Sequence, residues 1–124
     1  MEQKKKILLV DDDEIHLEIA ESILKENYQI ITAKSGKEAI AILIKDNIPH
    51  LILLDILMPK MDGWETFNTI KGISLLEDVP IIFLTSVNGA EERKQAEEMG
   101  ASDFITKPYK KEDLLKRIKK IIGE

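Results

Sequence analysis

Four apolar runs in this chain are continuous rather than alternating, and each leads straight to an isolated polar group. Ile7 to Val10 gives way to Asp11 and Asp12, Leu51 to Leu54 to Asp55, Ile81 to Leu84 to Thr85, and Phe104 with Ile105 to Lys107. A strand with one wet face alternates apolar and polar residues, whereas an unbroken run marks a strand covered on both faces, as in a parallel α/β sheet. In such sheets the chemistry lies at the carboxyl ends of the strands. The pattern predicts a carboxylate pair, a third carboxylate, a hydroxyl and an ammonium delivered to one sheet edge from distant parts of the chain.

The runs alternate with segments of helical period, which predicts five strands and five helices built as βα units. A first helix is expected over about Glu14 to Glu26, carrying Ile15, Ile19, Ile23 and Leu24 and capped by Asp13. A second runs from near Gly36 to Asp46 behind Ser35, and a third from Asp62 or Gly63 to near Gly72, where glycine can take a left-handed turn. The fourth, about Ala90 to Met99, stops at Gly100, and the fifth spans about Lys111 to Ile122. Helix four is heavily charged and has only Ala90, Ala96 and Met99 with which to dock, so its hold on the sheet is expected to be weak.

The 124 residues suit one domain with a core of its own, and the composition, 44% apolar and 33% charged, is that of a globular protein rather than a disordered one. A net charge of −5 argues against nucleic acid or an anionic membrane as the main partner. The chain has no cysteine, which removes disulfides and thiolate metal sites and fits a reducing compartment. The longest apolar stretch, Leu51 to Met58, is broken by Asp55 and stopped by Pro59, far short of the ~20 residues that span a bilayer. Nothing in the first residues resembles a secretory signal, so a cytoplasmic location is expected.

Carboxylates crowded at one edge repel one another unless protons or a cation neutralise them. An oxygen-only donor set favours Mg2+, or Mn2+ in its place, with Asp12 and Asp55 as ligands, Asp11 beside them, and the backbone carbonyl of Leu57 as a further candidate. A cation there would make Asp55 a plausible nucleophile toward phosphorus. Lys107 and Thr85 would serve two further phosphoryl oxygens, and the product would be an aspartyl phosphate.

The segments ILLVDDDE, LILLDILMPKMDG, IIFLTS and FITKP, in that order and at this spacing, resemble the receiver domain of two-component response regulators. The resemblance covers essentially the whole chain. It implies a doubly wound five-stranded parallel sheet of order 2-1-3-4-5 with five helices, the CheY-like form of the flavodoxin-like three-layer sandwich. It also implies Mg2+-dependent phosphorylation of Asp55 by a sensor histidine kinase or a histidine phosphotransfer protein, followed by slow hydrolysis. By that likeness Asp11 and Asp12 are the acidic pair, Thr85 the switch hydroxyl, Lys107 the phosphate-contacting lysine and Phe104 the switch aromatic. Lys107-Pro108 looks like the family's cis peptide. The expectation is a single receiver domain over residues 1–124 with no output domain. It is expected to be a signalling module that catalyses only its own phosphorylation and dephosphorylation. Its output is expected through a helix 4, strand 5 and helix 5 face, with Phe104 repacking into space vacated by Thr85. The partner on that face would be an unidentified protein target, or a second copy of the chain.

Two other readings remain at this point. Asp11-Asp12-Asp13 also fits the D-x-D of a haloacid-dehalogenase-type phosphatase, with Asp11 as nucleophile and Asp13 as acid-base, although Asp55 would then have no role. A pure interaction module that kept the fold but lost phosphorylation is the other. His16 falls in helix one and His50 just before a strand, and each is expected in a solvated or satisfied structural role. Trp64 is expected near the acidic pocket, with a fluorescence that responds to metal or a phosphoryl mimic.

Overall fold

The computed structural model describes residues 3–45 and 48–123. Five strands alternate with five helices: β1 (Lys6–Val10), α1 (Glu14–Leu24), β2 (Gln29–Ala33), α2 (Gly36–Leu43), β3 (Leu51–Leu54), α3 (Gly63–Lys71), β4 (Ile81–Thr85), α4 (Ala90–Met99), β5 (Asp103–Thr106) and α5 (Lys111–Ile122). The strands form one parallel sheet in the order β2-β1-β3-β4-β5, as the resemblance implies. The fold is that of a doubly wound, CheY-like α/β sandwich.

The unbroken apolar runs are explained by the pleat, which sends successive side chains to opposite faces. Leu8, Val10, Ile52, Leu54, Ile81, Phe83 and Phe104 face one core, covered by Ala39 and Leu43 of α2, Phe67 and Ile70 of α3, and Ala96 of α4. Ile7, Leu9, Leu51, Leu53, Ile82, Leu84 and Ile105 face a second core, under Leu17, Ala20 and Leu24 of α1 and Leu114 and Ile118 of α5. Phe83 anchors the first core, with ring centroids 5.4 Å from Phe67, 5.0 Å from Trp64 and 6.3 Å from Phe104. In α4, Ala96 is the one buried residue, which matches the weak docking expected from its sequence.

The helix starts follow their caps. Asp13 accepts from the N–H groups of Ile15 and His16, Ser35 from Glu38, and Asp62 from Glu65. Helix α1 ends at Leu24 rather than Glu26, because the Asn27 and Tyr28 N–H groups turn back to the Leu24 carbonyl. Helix α2 is assigned to Leu43, and the expected end at Asp46 lies outside the described residues. Gly100 is left-handed, at φ 92°, and stops α4. Gly72 is not left-handed: at φ −78° it keeps helical geometry, and its N–H bonds back to Asn68 and Thr69 as the chain passes into an unanticipated 3-10 turn, Ser74–Leu76, that buries Leu76.

Candidate functional site

Parallel register brings the predicted residues to one edge. Val10 pairs with Leu54, Leu54 with Phe83, and Thr85 with Thr106, so Asp11, Asp55, Thr85 and Lys107 all lie at the carboxyl ends of β1, β3, β4 and β5. Backbone bonds continue the ladder beyond the strands and fix these positions. The Asp11 N–H donates to Ala33, the Asp55 N–H to Val10 and the Lys107 N–H to Thr85, at 3.1, 2.9 and 2.9 Å. The Lys107–Pro108 peptide is cis.

Asp11, Asp12 and Asp55 each offer a carboxylate oxygen within 4.8 Å of the others, the combination among the described residues that a metal ion would fit. Asp11 and Asp55 are buried, while Asp12 is exposed. An inner pair with an exposed third member suits a hard cation that keeps part of its water shell. The Asp11 Oδ1 accepts from the Asp13 N–H at 2.9 Å, and its Oδ2 takes a short ion pair with Lys107. The Asp55 Oδ1 accepts from the Ile56 N–H at 2.8 Å, and its Oδ2 lies 3.7 Å from the Lys107 Nζ. Burial pushes the Asp55 carboxyl above the ordinary aspartate value; a hydrogen bond from Thr85 and the charge of Lys107 pull it back, and the neighbouring Asp11 adds to the rise. Thr85 is fully buried, and its Oγ1 accepts from the Val87 N–H at 3.3 Å.

The loop after Asp55 turns through Pro59 and Lys60, whose φ is 66°, and leaves Leu57 58% exposed. Trp64, in the first turn of α3, borders a cavity with Ile56, Leu57, Met58, Pro59 and Asp62. Phe104 is already buried against Phe83, with the Arg93 guanidinium 5.0 Å from its ring centroid.

His50 has a structural role, accepting the Lys6 N–H at 3.0 Å. His16 does not keep to the one expected of it. Its Nδ1 lies 3.0 Å from the Lys107 Nζ and 3.6 Å from the Asp11 Oδ2, which puts it in the cluster. The usable signal was positional: His16 stands one helical turn after Asp12, and a helix that starts at the carboxyl edge turns its first residues toward that edge. Asp13 is occupied as the N-cap of α1, which disfavours the phosphatase reading of it as an acid-base.

The parallel doubly wound sheet with an acidic, lysine-bearing carboxyl edge has the CheY-like form of the flavodoxin-like fold. The model of the response regulator receiver domain matches residues 7–119, and the chain belongs to that family, the receivers of two-component signalling. Protein PilG of Pseudomonas aeruginosa is 37% identical over 123 residues, covering 96% of this chain and 90% of PilG. The probable transcriptional regulator ycf27 of Porphyra purpurea is 39% identical over 121 residues, 97% of this chain but 48% of that protein. The chain thus spans about half the length of the ycf27 relatives it matches. Among solved structures, the chemotaxis protein CheY4 of Vibrio cholerae superposes with a TM-score of 0.88 at 28% identity, over 96% of this chain and 99% of that one. No helix among the described residues is long and apolar enough to cross a membrane.

Proposed function

We propose that the chain is a phospho-accepting switch in which Asp55 takes a phosphoryl group from a histidine kinase or a histidine phosphotransfer protein. The observation that carries this reading is the convergence of Asp11, Asp12, Asp55, Thr85 and Lys107 at one edge. Asp11, Asp12 and Asp55, with the Leu57 carbonyl, would hold Mg2+ or Mn2+. Such a cation supplies charge neutralisation to the transferring phosphoryl oxygens. The Asp55 Oδ2 forms the new O–P bond as the N–P bond to the donor imidazole breaks, and the electron pair stays with that nitrogen. Lys107 donates to one phosphoryl oxygen and Thr85 to another. The work is positioning and charge stabilisation, for which a small site suffices.

The altered surface is α4, β5 and α5. Thr85 ends β4 beside β5, Phe104 lies in β5 under Arg93, and α4 is held by little else. Drawing Thr85 toward the phosphoryl group biases the population of α4 positions through packing already in place, and a protein target or a second copy of the chain reads the result. Trp64 supplies the test. Its fluorescence should change on adding Mg2+ and again on adding beryllofluoride, and Asp55→Asn should lose the second change. A flat response, with binding shown by calorimetry, would count against the placement of the site.

A further inference from the structure

We propose that His16 is a positioning residue for Lys107, holding the ammonium over the site when Asp11 is drawn to a metal ion. The inference rests on the reading of Lys107 as the phosphoryl-contacting cation. An ammonium has only donors, so at 3.0 Å the His16 Nδ1 is placed as the acceptor for Lys107. The longer separations from Nδ1 to Asp11 and Asp13, 3.6 and 3.7 Å, agree with a ring nitrogen that is not donating to either carboxylate. Lys107 is thereby held most closely by Asp11 and by His16, with the Asp55 Oδ2 farther off at 3.7 Å and the lysine side chain only 10% exposed.

The two grips differ in what a cation does to them. Asp11 belongs to the carboxylate trio, so a divalent ion competes with Lys107 for its charge. His16 sits outside that trio and is spared the competition. A lysine that loses its carboxylate partner gains the rotamer freedom of a four-carbon stem, and a retained acceptor on α1 restricts that freedom to orientations facing Asp55. His16 is itself held in place: it lies in the first turn of α1, where Asp13 accepts its N–H and that of Ile15.

Leucine and asparagine at position 16 separate positioning from structure. They match in size, and the Asn Oδ1 can stand where the Nδ1 does, whereas leucine offers no acceptor. Helix propensity ranks them the other way, Leu above Asn, so a merely structural role favours His16→Leu. With saturating Mg2+, the acylation rate of Lys107 by a succinimidyl ester is read by peptide mass, alongside the rate of phosphorylation by acetyl phosphate. The expected result is Lys107 labelling several-fold faster in His16→Leu than in wild type, and phosphorylation slower by about tenfold, the size that goes with losing one charge-assisted hydrogen bond. His16→Asn should restore most of both despite a lower Tm. Equal behaviour of the two variants, or a Leu variant that labels as slowly as wild type, would overturn the proposal. If wild type takes up no phosphoryl group, the functional reading fails, while the labelling comparison still decides whether His16 holds Lys107.

Discussion

Thr85 has no exposed surface, yet its hydroxyl touches the two groups that matter to a switch, the Asp55 carboxylate and the backbone leading to α4. Removing it should separate binding from response. In Thr85→Ala the carboxylates and Lys107 remain, so beryllofluoride should still bind, while the α4 and β5 amide resonances stay near their metal-only positions. Wild-type shifts in that variant would contradict the coupling. The loss of a hydrogen bond to a carboxylate should cost stability about 1.5–3 kcal/mol. At this scale the sequence reading was strong where a residue ended an apolar run and weak where it did not. Asp11, Asp55, Thr85 and Lys107 were legible because burial forces a polar group at a strand end to have a reason. His16 carried no such mark, since a lone histidine among polar neighbours on a helix reads as surface.

Among the elements, α3 makes the closest demand on the site. A Cβ on Gly63 would stand 2.3 Å from the Asp55 carbonyl oxygen and 2.6 Å from the Ile56 Cα, both backbone atoms with no room to yield. Gly63→Ala should therefore destabilise the fold by about 1–3 kcal/mol and weaken Mg2+ affinity by displacing Asp55. Gly72→Ala is the matched control at the other end of α3, where the nearest atoms are 3.5 Å away and φ is helical; it should stabilise by about 0.4–1 kcal/mol. Denaturation midpoints of the pair test this, and a Gly63→Ala variant as stable as wild type would refute it. The elements most legible in sequence were those buried on both faces, such as β3 and β4. The edge strand β2, Gln29–Ala33, is only partly buried until Ala33, so it lacks the apolar run that delimited the others. The 3-10 turn after α3 was hidden because a single buried Leu76 makes no period.

For the whole molecule, the acidic edge sets function against stability. The carboxyl of Asp55 titrates above its ordinary value because the fold buries it, so the folded protein binds that proton more tightly than the unfolded chain does. The contribution of Asp55 to stability is thus most favourable at low pH, falls as pH rises from the ordinary aspartate value through the raised one, and carries its full penalty at neutral pH. Asp55→Asn should raise the Tm in EDTA at pH 7, and the gain should shrink as pH falls toward 4. Mg2+ should stabilise wild type more than the variant. A variant less stable than wild type in EDTA at pH 7 would reverse the sign of this account. The sheet order followed from the family resemblance, while layering was within reach of the sequence because two opposed cores need strands that are apolar on every residue. The balance of charge at the edge was not, since it depends on distances that only the fold sets.

Asp55 as the phosphoryl acceptor is the central claim, and intact mass after incubation with Mg2+ and acetyl phosphate tests it most directly. The account predicts one added phosphoryl group on the wild type, absent with EDTA and absent from Asp55→Asn. An adduct that persists in Asp55→Asn, or forms equally without metal, would contradict it.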